Sequence, residues 1–354
     1  MEVANLSDVA KAAGVSVSTA SFVLNGRAED MRISSRTAER VLEAVRELGY
    51  VPNVAAKKLT SQADRQSALP DIAFLWSPSM HNSVLGSFVT NAQAFFDQGL
   101  VSRMNIIIAP FAPGHYRETE ERFLNRHYNG LLFSPMFDEE IEFVNGLNLQ
   151  IPFVVMHTEV ERFSNVVVDN VDAGRLAAKA FAARGHRAAA MLYRSQIGGT
   201  SQKDERYTGF LAACETLGME CLGTELPWPS FPAPRARAQY GHDKAREYLE
   251  TKTLPEAIFI QDDVVAVGFL VTLLREGVRV PEDIELITYG GEEPAVSVQP
   301  AITTVNYPVA GITLEALKLM SKQLGDPYAT PERVAVPADI TFRDSCPRPE
   351  GWVD

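Results

Sequence analysis

The stretch 6–26, LSDVAKAAGVSVSTASFVLNG, holds two short helical patterns joined at Gly14-Val15, and the second runs from a serine to Asn25-Gly26. A helix-turn-helix reads this way in sequence. Ser7 and Ser16 each stand just ahead of an apolar periodicity, where a hydroxyl oxygen accepts from backbone N–H groups that lack a partner inside the helix. In the second pattern Ala20, Val23 and Leu24 fall at i, i+3 and i+4 and form an inward stripe. That stripe turns Val17, Ser18, Ser21, Phe22 and Asn25 outward, as a face that lies in a major groove. A plain helical hairpin serving only as core shares these features, so the neighbouring sequence matters.

After a loop with Arg27 and Arg32, residues 35–48 (SRTAERVLEAVREL) form an amphipathic helix capped by Ser34 or Ser35 and closed by Gly49. Its apolar side is Ala38, Val41, Leu42, Val45 and Leu48, so three helices can share one small core. Tyr50-Val51-Pro52-Asn53 and VAAKKLT follow. This run is too short to be helical alone, because isolated helices below about 12 to 15 residues are marginal in water. It needs a partner to fold.

At this point the chain resembles the lactose and galactose repressor (LacI/GalR) family. The matching residues are Asp8-Val9-Ala10, Ala13-Gly14-Val15-Ser16, Thr19-Ala20-Ser21, Val23-Leu24-Asn25, Glu47-Leu48-Gly49-Tyr50, Pro52-Asn53 and Ala56-Lys57-Lys58-Leu59. The resemblance implies a DNA-reading set of Ser16, Val17, Ser18, Thr19, Ser21, Phe22 and Asn25 in the headpiece, continued by Asn53, Lys57, Lys58 and Leu59 in a hinge helix at about 53–60. It also implies that Leu59, paired with its twin from a second subunit, wedges between base steps of the minor groove. Such a wedge costs roughly a few kcal/mol per unstacked step, offset by added contact.

The net charge of −12 looks wrong for a DNA binder until it is divided along the chain. Residues 1–60 carry eight Lys/Arg and seven Asp/Glu, a balance of +1 that leaves −13 for the rest. DNA binding must then rest on a few placed cations, with Arg27, Arg32, Arg36, Lys57 and Lys58 as candidates. Each of them reads equally well as solvated surface.

With 354 residues and 46% hydrophobic content the chain is long enough for more than one domain. Residues 1–60 read as the headpiece, 61–70 as a polar linker and 71–345 as a second domain. In that domain short apolar runs alternate with helical patterns: 72–76, 105–109, 130–134, 152–156, 189–193, 257–261 and 285–289. The alternation is that of an α/β fold with parallel sheets covered by helices, and its length suits two lobes around a cleft. A Pro-rich stretch at 227–234 reads as a loop.

Signatures of turnover are missing, with no GxGxxG, GxxxxGK[ST], GxSxG or HExxH in the chain. The reading is therefore a non-enzyme without cofactor or metal, against the alternatives of a cytoplasmic sugar-acting enzyme or a plain small-molecule-binding protein on the same architecture. Three cysteines, Cys214, Cys221 and Cys346, lack CxxC spacing and read as scattered packing residues. No basic segment precedes an apolar core at the N-terminus and no apolar run approaches 20 residues, so a cytoplasmic protein off the membrane is expected. The Pro-rich end at Asp354 carries no heptads, and a dimer without a tetramerising tail is expected.

The resemblance extends more loosely through 166–178, 184–186, 206–210, 257–268, 274–284 and 302–305, the family's ligand-sensing domain related to periplasmic sugar-binding proteins. It implies that Arg206 and Asp263 clamp the polar groups of a small effector, a sugar or sugar derivative, with weaker assignments at His81, Asn82, His157, Asp169 and Trp228. The loop after the first strand reads SPSMHNSV where the family often has a DxxNPFF-like run, and Tyr289-Gly290-Gly291-Glu292 stands where it has a GFDD-like run, so loss of a wall aromatic and a pocket altered on both lobes are expected. Together these readings describe a homodimeric regulator, more a repressor than an activator, bound to a near-palindromic double-stranded operator.

The family commonly has Arg, His or another polar residue where this chain has Phe22. Arg pairs bidentately with guanine, whereas Phe offers only apolar contact, for instance to a thymine methyl group. The operator half-site selected in vitro should lack the guanine that such an Arg demands. A strongly fixed guanine that relaxes in Phe22→Ala would refute this.

Overall fold

The computed structural model describes residues 6–24, 31, 33–48, 69–76, 82–110, 128–135, 137–147, 151–196, 202–226, 234–290, 293–326 and 329–353. They fall into two compact units, with Leu69 in the first and Pro70 in the second.

The first unit has three helices, α1 (Leu6–Ala12), α2 (Val17–Leu24) and α3 (Ser35–Leu48). Gly14 makes the turn between α1 and α2 in the left-handed region at φ 63°, where a side chain would be strained. Val15 N–H then closes α1 by donating to the Ala10 carbonyl at 2.9 Å. Ser16 Oγ accepts from Thr19 N–H at 3.1 Å and caps α2. At α3 the cap is Ser34, whose Oγ accepts from Thr37 N–H at 3.3 Å. Ser7 differs from expectation, since α1 already starts at Leu6 and places Ser7 inside its first turn beside Asp8, whose charge suits that end of the helix. The core is Val9, Ala10, Ala13, Ala20, Val23, Val41 and Ala44, with Val15, Ile33 and Ala38 packed against it. The side chains of Leu24, Leu42, Val45 and Leu48 lie outside the described set, as do Gly49, the hinge residues and the linker 61–68.

The second unit is built on two six-stranded sheets. The first contains β1 (Asp71–Trp76), β2 (Asn105–Pro110), β3 (Gly130–Phe133), β4 (Phe153–Met156), β5 (Ser164–Val168) and β11 (Arg333–Val336), in the order β11-β5-β4-β3-β1-β2. The second contains β6 (Ala188–Tyr193), β7 (Glu220–Glu225), β8 (Ala257–Ile260), β9 (Glu285–Gly290), β10 (Thr303–Asn306) and β12 (Asp339–Thr341), in the order β12-β10-β9-β8-β6-β7. β3, β4 and β8 are buried along their whole length, as strands covered on both faces must be. All seven expected strands are present. Five more escaped the apolar-run criterion: β5, β10 and β12 are interrupted by polar residues, and β7 and β11 are edge strands with mostly exposed or half-buried residues. β12 pairs antiparallel with β10, so the second sheet is not wholly parallel.

Eight helices among the described residues accompany the sheets: α4 (Asn82–Asp97), α5 (Asp138–Gly146), α6 (Asn170–Ala183), α7 (Arg206–Leu217), α8 (Pro234–Thr251), α9 (Asp263–Arg275), α10 (Glu293–Val296) and α11 (Val309–Gly325). The chain passes between the lobes three times, from β5 to α6, from β10 to α11 and from β11 to β12. α11 therefore packs in the first lobe's core, beside Phe74, Leu132 and Val154. α6 packs in the second lobe's core, beside Met191 and Phe259. Tyr307, on the second passage, packs against both. The C-terminal stretch belongs to the second lobe: Cys346 is fully buried there, and Trp352 lies edge-on to Phe342 at 5.1 Å with the Lys179 ammonium 4.5 Å from its ring.

Two helix pairs approach until backbones touch. A Cβ on Gly209 of α7 would stand 2.1 Å from the Val171 carbonyl oxygen, and one on Gly174 of α6 would stand 2.0 Å from that of Arg206. Gly241 and Gly268 repeat this reciprocity between α8 and α9, against Val265 and Ala238 at 2.1 Å. Neither helix can move away without exposing its apolar face. Gly268→Ala should therefore destabilise the second unit by about 1–3 kcal/mol, the usual cost of overpacking, read as a lowered denaturant midpoint. An unchanged midpoint would show that the helices separate freely.

Candidate functional site

In open α/β sheets ligands settle beyond the carboxyl ends of the strands. At those ends the second lobe gathers Arg194 after β6, Gln261, Asp262 and Asp263 after β8, Gly290 closing β9 and Tyr307 after β10. Arg194, Asp204, Arg206, Arg237, Gln261, Asp262 and Asp263 are all 9% exposed or less. Buried charge on this scale has to be paired.

Asp204 pairs with Arg206, taking its Nε at 2.7 Å and its Nη2 more closely still. The same guanidinium lies 4.0 Å from the centre of the Tyr289 ring, a cation–π contact. Burial lowers the Arg206 pKa to about 10, which still leaves it charged near neutrality. Asp262 accepts from Val265 N–H at 3.0 Å, capping α9, and from Arg237 Nη1 at 2.7 Å. Gln261 Oε1 accepts from the Arg194 backbone N–H at 2.9 Å. The Asp263 carboxylate lies against Gly290, where a Cβ would meet its Oδ2 at 3.1 Å, and Gly290 takes φ 144°. A residue with a side chain there would crowd the carboxylate.

Facing these groups, the first lobe places Ser134 after β3 and His157 after β4. Ser134 Oγ and His157 Nδ1 share a hydrogen bond of 2.7 Å. His157 is held at φ 71°, rare for a residue with a side chain, and burial lowers its pKa to about 4, so the ring is neutral under ordinary conditions. Its ring centre is 5.6 Å from that of Tyr307, which in turn is 6.1 Å from Tyr289. Burial raises both tyrosine hydroxyls above their ordinary pKa, so they stay protonated donors. Gln202 Nε2 adds a bond to the Glu159 carbonyl at 2.8 Å.

Of the residues singled out in the sequence, Arg206, Asp263 and His157 occupy these strand ends. Asp169 caps α6 by accepting from Asp172 N–H at 2.9 Å, and Asn82 is the first residue of α4. His81 and Trp228 lie outside the described residues. Of the two departures behind the expected loss of a wall aromatic, the loop beginning at Ser77 lies mostly outside the described residues, while on the other lobe Tyr289 lies against Arg206 and Tyr307 supplies a second ring. Asp204, the partner of Arg206, was missed; its signal is its place two residues ahead of that arginine. Arg194 and Gln261 were missed although one directly follows the run 189–193 and the other ends the run 257–261.

On α2, Val17 is 46% exposed and Ser16 and Ser18 are also on the surface. Thr19, Ser21 and Phe22 are half-buried, so the outward face is narrower than the stripe rule implied. Phe22 is thus neither fully outward nor part of the core. Asn25, Asn53, Lys57, Lys58 and Leu59 fall outside the described residues. No described helix is long and apolar enough to cross a membrane, and no metal-ligating cluster occurs among the described residues.

Residues 5–53 match the model for bacterial regulatory proteins of the lacI family, and residues 178–346 match that for a periplasmic binding protein-like domain. The chain thus carries a lacI-family DNA-binding domain followed by a periplasmic-binding-protein-like domain. The chain is 25% identical over 343 residues to the HTH-type transcriptional regulator DegA of Bacillus subtilis, covering 96% of each. To the regulator CelR of Thermobifida fusca it is 27% identical over 348 residues, covering 95% of this chain and 96% of CelR. Its fold resembles that of a CelR–cellobiose complex, with a TM-score of 0.60 at 23% identity over 97% of this chain and 99% of that one. It also resembles the lac repressor dimer bound to operator and an anti-inducer, with a TM-score of 0.64 at 20% identity over 98% and 100% of the two chains.

The His157 environment sets an acid limit on stability. The folded pKa near 4 lies below the ordinary 6.5, so between these values the unfolded chain binds more protons. This contribution is intact above about 6.5 and is lost as pH falls toward 4. His157→Asn should lose less stability across that window than the natural chain, as read from denaturant midpoints against pH. Parallel curves for the two proteins would contradict the assignment.

Proposed function

We propose that the protein is a homodimeric, ligand-responsive transcriptional repressor acting in the cytoplasm. It reads a near-palindromic operator through α2, with Ser16, Val17, Ser18, Thr19, Ser21, Phe22 and Asn25 on the DNA side. Asn53, Lys57, Lys58 and Leu59 form its hinge contacts. The effector is a sugar or a related metabolite, held by Arg206 and Asp263 with His157 across the cleft, and with His81, Asn82, Asp169 and Trp228 as further contacts.

The observation that carries this reading is the presence in one chain of a Ser16-capped headpiece helix and a cleft wall of buried paired charges and aromatic rings. Paired Arg and Asp groups donate to and accept from hydroxyls at once, and an aromatic ring covers the apolar face of a sugar. The CelR structure was solved with cellobiose, which supports a saccharide here too. The relatives are transcription regulators, which speaks against a turnover role. A ligand preferring one arrangement of the lobes changes how two subunits present their hinges to DNA. Coupling of about 1–3 kcal/mol alters operator affinity roughly 5- to 150-fold.

Selection of random duplexes by the full chain should return an inverted repeat. A panel of mono- and disaccharides, including cellobiose, should contain a member that raises the melting temperature and shifts operator affinity, with both effects lost in Asp263→Ala. Absence of preference for any duplex over scrambled competitor, with and without the sugars, would overturn the reading.

A further inference from the structure

Cys214 and Cys221 meet where α7 turns back into β7. The helix stops at Gly218, in the left-handed region at φ 69°, and Met219 N–H donates to the Cys214 carbonyl at 2.8 Å. The strand then runs back along the helix. Met219, Cys221 and Gly223 alternate onto one strand face, and a Cβ on Gly223 would stand 2.8 Å from the Tyr207 ring, so Tyr207 of α7 lies over that face. Cys214, two turns after Tyr207, is on the same side of the helix. Seven helical residues advance about 10 Å, as do three strand residues, which brings Cys214 over positions 220–221. Both cysteines belong to one apolar cluster, Cys214 fully buried and Cys221 half-buried. The side-chain interaction between the two thiols pushes Cys214 up and holds Cys221 below its ordinary pKa. The two are thus neighbours rather than scattered packing residues, whereas Cys346 is buried with its Sγ 3.2 Å from Glu285 Oε2.

We propose that Cys214 and Cys221 are a covalent modification site, closing into a reversible intramolecular disulfide when the protein meets a peroxide. Cys221 has the reactive position, being the more exposed thiol, with its pKa held down by its buried neighbour. Its sulfur attacks one peroxide oxygen, the O–O bond breaks, and the departing hydroxide takes up a proton to become water. The Cys214 sulfur then attacks the sulfenic acid on Cys221, the S–O bond breaks, and the second hydroxide leaves as water with the Cys214 proton. One peroxide is reduced by two electrons and two thiols become one disulfide; an external dithiol reverses the step. The bond ties β7 to α7, the helix that begins with Arg206.

The test treats the full chain, folded and reduced, with one equivalent of hydrogen peroxide and maps its thiols by mass spectrometry. Two of the three cysteines should be lost to a link between residues 214 and 221 within one chain, and a dithiol should restore both. Cys346→Ser should form the same link. Cys214→Ser should stop at a sulfenic acid on residue 221 that a cyclic dione traps, and Cys221→Ser should form no link. Survival of both thiols, a link between two chains, or equally fast oxidation in Cys221→Ser would overturn the proposal.

Discussion

Burial of charge at the carboxyl edge of the second sheet is the constraint on which the cleft depends. Three arginines and three aspartates lie out of solvent there, and an isolated ion in such surroundings costs several kcal/mol. Each must be compensated locally, and the compensation joins separate parts of the chain. Arg237 of α8 reaches Asp262, which also caps α9, so one carboxylate fastens two helices to the end of β8. Arg206 is fastened to Asp204 and to the Tyr289 ring, so α7 starts at a fixed point relative to β9. The signs balance, and the wall presents donors and acceptors without a large net field.

The helix contacts make that wall possible. Gly174 leaves room for the Arg206 carbonyl, so the close approach of α6 and α7 sets where the cleft arginine emerges. Asp169, at the other end of this relation, caps α6 on the passage from the first lobe. Packing and recognition are here parts of one arrangement.

Much of this was legible in the chain. Continuous apolar runs such as AIFI and FVVM marked the central strands because both faces are covered, and Ser16 marked the start of α2 because its oxygen serves the backbone. β7 and β11 were hidden because edge strands share their residues with solvent, and β12 because three residues make no pattern. The partners of Arg206 were hidden for a different reason: Asp204 is close in sequence but inconspicuous, while Tyr289 and Tyr307 are distant and meet only through the sheet order. Phe22 exposed a limit of the helical stripe, which predicts an outward residue where the side chain is half-buried.

Tyr307 has a further consequence for motion. Its ring is shared by the hydrophobic interiors of both lobes, on a passage where its N–H is tied to the Gly290 carbonyl at 2.9 Å. One lobe cannot pivot against the other without rolling over this ring, which acts as the axle pin of the clamshell. The same ring stands between those of His157 and Tyr289, so a molecule held at these strand ends presses on the axle itself.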